Sequence, residues 1–163
     1  MYRHARIFIV LPFVLLSLIS GAQPLNKKDK FTREDTLRGS NGPGRDWWDV
    51  NFYEINITPD YTSKKISGHT TIAYTIRKDG SNKTMQIDLQ EPMQIDSIRG
   101  TTGRIRNYRR EGNVYFIDFG DQVFTQWQTQ NDIPAIYSLH IFFSGKPRVA
   151  TNPPWEGGWI WTK

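Results

Sequence analysis

From about residue 47 onward, apolar and polar side chains alternate with a period of two. Tyr53, Ile55 and Ile57 fall on one side of an extended segment, and Ile66, Gly68, Thr70, Ile72, Tyr74 and Ile76 on one side of a longer one, the pattern of half-buried β-strands. Pro59 and Asp60 separate this pair. Asp79, Gly80 and Ser81 turn the chain into Met85, Ile87 and Leu89, a third alternating face. Glu91 and Pro92 break it before Met93 to Ile98, and Gly100 to Gly103 bracket a turn into the more weakly patterned Ile105 to Tyr108. Glu111, Gly112 and Asn113 signal a hairpin ahead of Tyr115, Ile117 and Phe119, and Tyr137, Leu139, Ile141 and Phe143 alternate cleanly up to Gly145 and Pro147. No segment sustains a 3.6-residue period and no solenoid or propeller repeat is present. Seven or eight short strands with turn chemistry between them predict an all-β domain, an antiparallel sandwich or open barrel.

The opening residues read differently. Arg3 and Arg6 precede an apolar run from Ile7 to Ile19, and Ser20 and Ala22 occupy small-residue positions before a cut, the form of a secretory signal peptide. The run is interrupted by Pro12 and falls short of the ~20 residues a spanning helix needs, so cleavage near Ala22 and export to the periplasm or medium are expected rather than a stable membrane anchor. The organisation read from the chain is a signal peptide over 1–22, a flexible polar leader over 23–45 containing NKKDKFTRED and GSNGPG, a β-domain over 46–150, and a tryptophan-rich segment over 151–163.

The chain has 163 residues, 37% of them hydrophobic and 23% charged, enough apolar material for one modest domain and not for two. Losing Arg3 and Arg6 lowers the formal charge from +5 to +3, too little to point to a polyanion. Cysteine is absent and His4, His69 and His140 are the only histidines, which removes thiol chemistry, disulfides and most zinc sites. Stability must then come from core packing.

Catalytic constellations are hard to assemble from what remains. Paired imidazoles one helical turn apart, with a glutamate between them to act as base, do not occur. His69 and His140 sit in predicted strands as ordinary sheet-face residues. Ser138 and His140 share a strand face but lack a nucleophile elbow or oxyanion turn. Asp118 with Asp121, and Asp88 with Glu91, could in principle serve a glycosidase, yet acids at strand ends commonly serve turns. GSNGPG lacks the lysine and helix of a phosphate cradle. The stretch RIRNYRR at Arg104 to Arg110, with its Tyr108 available for stacking, could be read as a nucleic-acid strip, but arginines on an edge strand keep that edge soluble, and no nucleic-acid partner is expected. The sequons at Asn56 and Asn82 matter only in a eukaryotic secretory route.

Tryptophan placement is more informative. Trp47 and Trp48 mark the domain start, and Trp155, Trp159 and Trp161 crowd the phrase NPPWEGGWIWTK. Rings at this density, if exposed, form an apolar patch of the kind that marks an interface. They either grip a ligand or pack on further chain.

Taken in order, DTLRGSNGPGRDWWDVNFYEINITPDY, KKISGHTTIAYTI, MQIDLQEPMQIDSI and IFFSGKPRVATNPPWEGGWIW resemble the N-terminal region of exported bacterial zinc aminopeptidases of the aminopeptidase N family. The likeness runs from about Asp35 to Lys163. It implies a saddle-like β-domain that packs on a thermolysin-like catalytic domain and helps to wall off its cleft. Neither HExxH nor GxMEN occurs in this sequence, so the resemblance carries over no catalytic or metal-binding residue. It implies one zinc in the catalytic domain and none in this stretch, and peptide substrates only for the longer enzyme. The positions it does carry over are structural: Phe143, Gly145 and Pro147 of a Tyr-or-Phe-x-Gly-x-Pro element, and Trp155, Trp159 and Trp161 as contacts toward the catalytic domain. Two alternatives stand beside it, a self-sufficient secreted β-sandwich binding glycan or protein through those tryptophans, and a scaffold or adhesion protein that kept the sandwich and lost the enzyme.

Overall fold

The computed structural model describes residues 30–81, 83–128, 133–155 and 157–162. The expected signal peptide and the first residues of the leader lie outside them. The chain divides into two units, Met1–Arg33 and Glu34–Lys163, and the architecture below is that of the second.

A short helix, α1 (Arg33–Gly39), precedes ten strands: β1 (Trp48–Asp60), β2 (Lys65–Ile76), β3 (Thr84–Asp88), β4 (Gln94–Gly100), β5 (Gly103–Ile105), β6 (Tyr108–Glu111), β7 (Val114–Asp118), β8 (Trp127–Gln128), β9 (Ile133–Pro134) and β10 (Ile136–Gly145). Five form one antiparallel sheet in the order β1-β2-β10-β4-β5, three form a second in the order β3-β7-β6, and β8 pairs with β9. The all-β sandwich expected from the alternation is the fold found.

Register explains the core. Tyr74, Ile72 and Thr70 of β2 stand opposite Tyr137, Leu139 and Ile141 of β10, and Ile141 stands opposite Ile98 of β4. Across from this face lie Met85 of β3 and Tyr115 and Ile117 of β7, and the two sets pack into one buried cluster. Period-two alternation buries every second residue because successive side chains leave a strand on opposite faces. Trp47 closes one end of the cluster. It is 1% exposed, donates from Nε1 to the Thr84 carbonyl at 2.9 Å, and meets Tyr74, Phe119 and Phe124 edge-on or tilted.

Three features differ from the sequence reading. Within the stretch expected to be a leader, Arg33–Gly39 is helical, Leu37 is buried, and the Gln86 side chain donates to the Leu37 carbonyl at 2.7 Å. A single apolar residue carries this docking, too weak a periodicity to read from sequence. Ile105 to Tyr108 is not one strand: it divides between β5 of the first sheet and β6 of the second. Finally, Tyr53, Ile55 and Ile57 do share the core-side face of β1, opposite Ile72, Thr70 and Gly68, yet they are 53%, 61% and 44% exposed. The second sheet has three strands against five and leaves this edge uncovered.

Candidate functional site

The end of β10 and the segment after it hold the positions singled out by sequence. Gly145 has φ of +145°, a backbone conformation that other residues rarely adopt, and a Cβ there would sit 3.2 Å from the Met93 Cα, so the backbone crosses Met93 closely. Phe143 is buried with Ile66 and Met93 in a second cluster, against which Trp159 and Trp161 pack. After Pro147 the chain loops out and returns: Val149 and Trp159 form a parallel bridge, with Trp159 N–H donating to the Arg148 carbonyl at 2.7 Å and Ala150 N–H to the Trp159 carbonyl at 3.2 Å. Arg148 holds the return from the side through a bond to the Gly157 carbonyl. The return is close enough that a Cβ on Gly158 would lie 2.5 Å from the Ala150 nitrogen.

The three tryptophans of this segment therefore divide. Trp159 and Trp161 lie 5.5 Å apart with their planes inclined by 45°, and Trp161 meets Tyr61 edge-on at 5.6 Å. Both rings are half-buried within their own domain. The Trp161 indole Nε1 is buried without a hydrogen-bond partner. Trp155 stands apart at the tip of the loop, following a turn closed by Asn152, and is 88% exposed.

A second feature was not visible in the sequence. Where the three-stranded sheet fails to cover the five-stranded one, a hollow of about 410 Å³ opens over Ile72, Ile141 and Phe143, rimmed by Tyr53, Arg45 and Asp88. Arg45 reaches both Asp88 carboxylate oxygens, at 2.8 and 2.9 Å. Partial burial, reinforced by the Asp88 charge, pushes the Tyr53 phenol above its ordinary pKa. An ion pair between residues 43 positions apart, made through the one guanidinium nitrogen Nη2, leaves no local trace in sequence; the Tyr53 alternation gave the face and nothing more.

Several of the other residues weighed for chemistry have structural partners. His69 Nε2 lies 3.2 Å from the Asn56 amide, and His140 Nδ1 lies 3.0 Å from the Thr71 hydroxyl rather than against Ser138. Asp118 accepts from Gly120 N–H and from the Asn107 amide. Glu91 pairs with Arg110. Of the basic stretch, Arg104 and Arg109 lie on edge strands of the two sheets. Arg110 instead turns inward, donating to the carbonyls of Gly112, Met93 and Leu89, with its guanidinium 5.0 Å from the Tyr115 ring centroid. Among the described residues no three His, Cys, Asp or Glu are grouped to hold a metal ion, and no helix is long and apolar enough to cross a membrane.

What these residues define is an antiparallel β-sandwich domain with an open hollow and a tryptophan-bearing return loop. No protein-family model and no curated protein sequence matches the chain. Solved structures do. The M1 zinc metallopeptidase of Deinococcus radiodurans matches with a TM-score of 0.53 and 17% identity over 72% of this chain and 25% of that one. A mutant of that enzyme bound to a Tyr-Ser-Ala substrate matches with a TM-score of 0.52, again at 17% identity, 72% and 25%. Native leukotriene A4 hydrolase from yeast is similar at a TM-score of 0.44 and 11% identity, over 61% of this chain and 14% of that one. The chain spans about a quarter of the length of the bacterial metallopeptidase.

Proposed function

We propose that this chain is the non-catalytic N-terminal β-domain of an exported zinc aminopeptidase of the aminopeptidase N family. The observation that carries the reading is the likeness of its fold to the M1 metallopeptidase over 72% of the chain, against only a quarter of the enzyme. The four ordered sequence phrases, ending in PPWEGGWIW, support the same assignment independently of the fold. On this reading the zinc, its ligands and the glutamate base belong to a catalytic domain of the longer polypeptide. The domain's own role is to hold the wall of the substrate cleft. The enzyme as a whole releases N-terminal residues from peptides, and Trp155, fully open at the loop tip, is the ring placed to meet the catalytic domain.

Two measurements test this. The purified chain, assayed with aminoacyl reporter substrates and added zinc, is expected to give no turnover above background; metal-dependent turnover would contradict the assignment. Sequencing the DNA beyond the Lys163 codon is expected to find an in-frame HExxH, and its absence would remove the basis for an enzyme.

A further inference from the structure

The four lateral sheet edges of the sandwich are not alike. β5 is three residues long and carries Arg104, and β6 carries Arg109, whose guanidinium lies 4.2 Å from the Phe116 ring centroid. β3 is flanked by the chain at Gly44, whose carbonyl accepts from Gln86 N–H at 2.8 Å. Short length, basic side chains and a covering segment are the means by which proteins blunt sheet edges. β1 has none of these three, and its bulge between Val50 and Phe52 and its Pro59 guard only the two ends. It runs for thirteen residues at the margin of the larger sheet, every residue from 51 to 60 is exposed, and among them Phe52, Tyr53, Ile55 and Ile57 are large and apolar.

We propose that β1 is the docking edge for a second copy of this chain, added antiparallel about a two-fold axis at Ile55. Two irregularities bound the usable window. The register with β2 shifts between Val50 and Phe52, and Pro59 interrupts the far end. Pro59 stays paired with Ile66, so its nitrogen, which carries no hydrogen, faces away from β2. Alternation then points the N–H and C=O groups of Ile57, Ile55 and Tyr53 outward as well. The regular window is Phe52–Thr58, and its midpoint is Ile55.

Pairing about that midpoint is self-complementary. Ile55 meets its own copy, Tyr53 meets Ile57, and these are the residues whose outward backbone groups have no partner among the described residues, so each pair exchanges two hydrogen bonds. Their side chains all lie on the core-side face, where the exposed stripe of one copy continues into that of the other. On the opposite face Phe52 meets Thr58, and Glu54, the one charge in the window, meets Asn56, whose amide already lies 3.2 Å from the Glu54 carboxylate within its own strand. An axis at Glu54 would set two carboxylates against each other. An axis at Asn56 would pair Tyr53 with Pro59 and lose a bond at each end. A two-fold contact of this kind is closed, so assembly stops at the dimer.

Sedimentation equilibrium of the chain between about 1 µM and 1 mM is the direct test, because a strand-edge contact falls in the weak class of interfaces. A monomer–dimer equilibrium is expected. Ile55→Lys, a change at an exposed position, should leave the circular dichroism spectrum and urea midpoint unchanged while weakening dimerisation at least about tenfold. Because the chain contains no cysteine, Ile55→Cys offers a second readout. Residues facing each other in a hydrogen-bonded pair lie about 5.5 Å apart at Cα, within disulfide reach, so mild oxidation should yield a covalent dimer where the exposed Val123→Cys control does not. A monomer throughout the range, a dimer indifferent to Ile55→Lys, or equal cross-linking of the Val123→Cys control would each overturn the proposal.

Discussion

Tyr74 shows how one side chain ties packing to solution behaviour. It is 2% exposed, ringed by Trp47, Trp48 and Tyr137. Burial, with a smaller contribution from Tyr137, drives its phenol far above the ordinary tyrosine range. The folded protein therefore keeps this proton at a pH where the unfolded chain, with a tyrosine pKa of about 10, has begun to lose it. Since the folded state binds more protons there, stability is fully present below about pH 10 and falls as pH rises beyond it. Urea midpoints measured between pH 8 and pH 11, values bracketing that unfolded pKa, should show this decline, and Tyr74→Phe should make it shallower. Arg110 makes the complementary point. Sequence placed it in a basic strip at a sheet edge, whereas its guanidinium is committed to three carbonyls and a tyrosine face. Only the fold decides which arginines of a cluster turn inward, because all of them have the same donors and the same reach.

At the level of elements, alternation was a sound guide wherever both sides of a strand meet different surroundings. β2, β3, β7 and β10 lie where sequence placed them, with the expected faces inward. β8 and β9, at two residues each, and α1, with one buried residue, are too short for any period to register. β1 was read with its faces right and its burial wrong, since the width of an opposing sheet is not written in the strand it fails to cover. Glycines provide a sharper test of the pairing. A Cβ on Gly68 of β2 would fall 2.0 Å from the Asn56 carbonyl oxygen of β1, whereas one on Gly100 would meet only the movable tip of Ile105 at 3.2 Å. Gly68→Ala should therefore cost about 1–3 kcal/mol, with Gly100→Ala costing clearly less. Urea denaturation of the two variants side by side checks the ordering.

For the domain as a whole, the governing fact is that β10 lies between β2 and β4. The chain completes β1 and β2, departs to build the smaller sheet, and supplies the central strand of the larger one only at Ile136–Gly145. Without it β2 and β4 have no partner on their inner sides, and Leu139 and Ile141 are missing from the main cluster. A version ending at Ala135 should show no cooperative thermal transition, and circular dichroism during heating is the check. The candidate site was legible in part. Phe143 and Gly145 were singled out by the resemblance and the tryptophans by their clustering, but the division of labour among the three rings depends on a loop that returns to its own starting point, and no local pattern announces such a return.

That return has a consequence for how a neighbour could be engaged. The bridge between Val149 and Trp159 pins both feet of the loop, so changes in the length or sequence of the residues between them are absorbed above the bridge, at little entropic expense. Trp155 is carried like a fingertip on a braced hand. Its setting can drift in evolution while the knuckles beneath, Trp159 and Trp161 on Phe143, stay where they are.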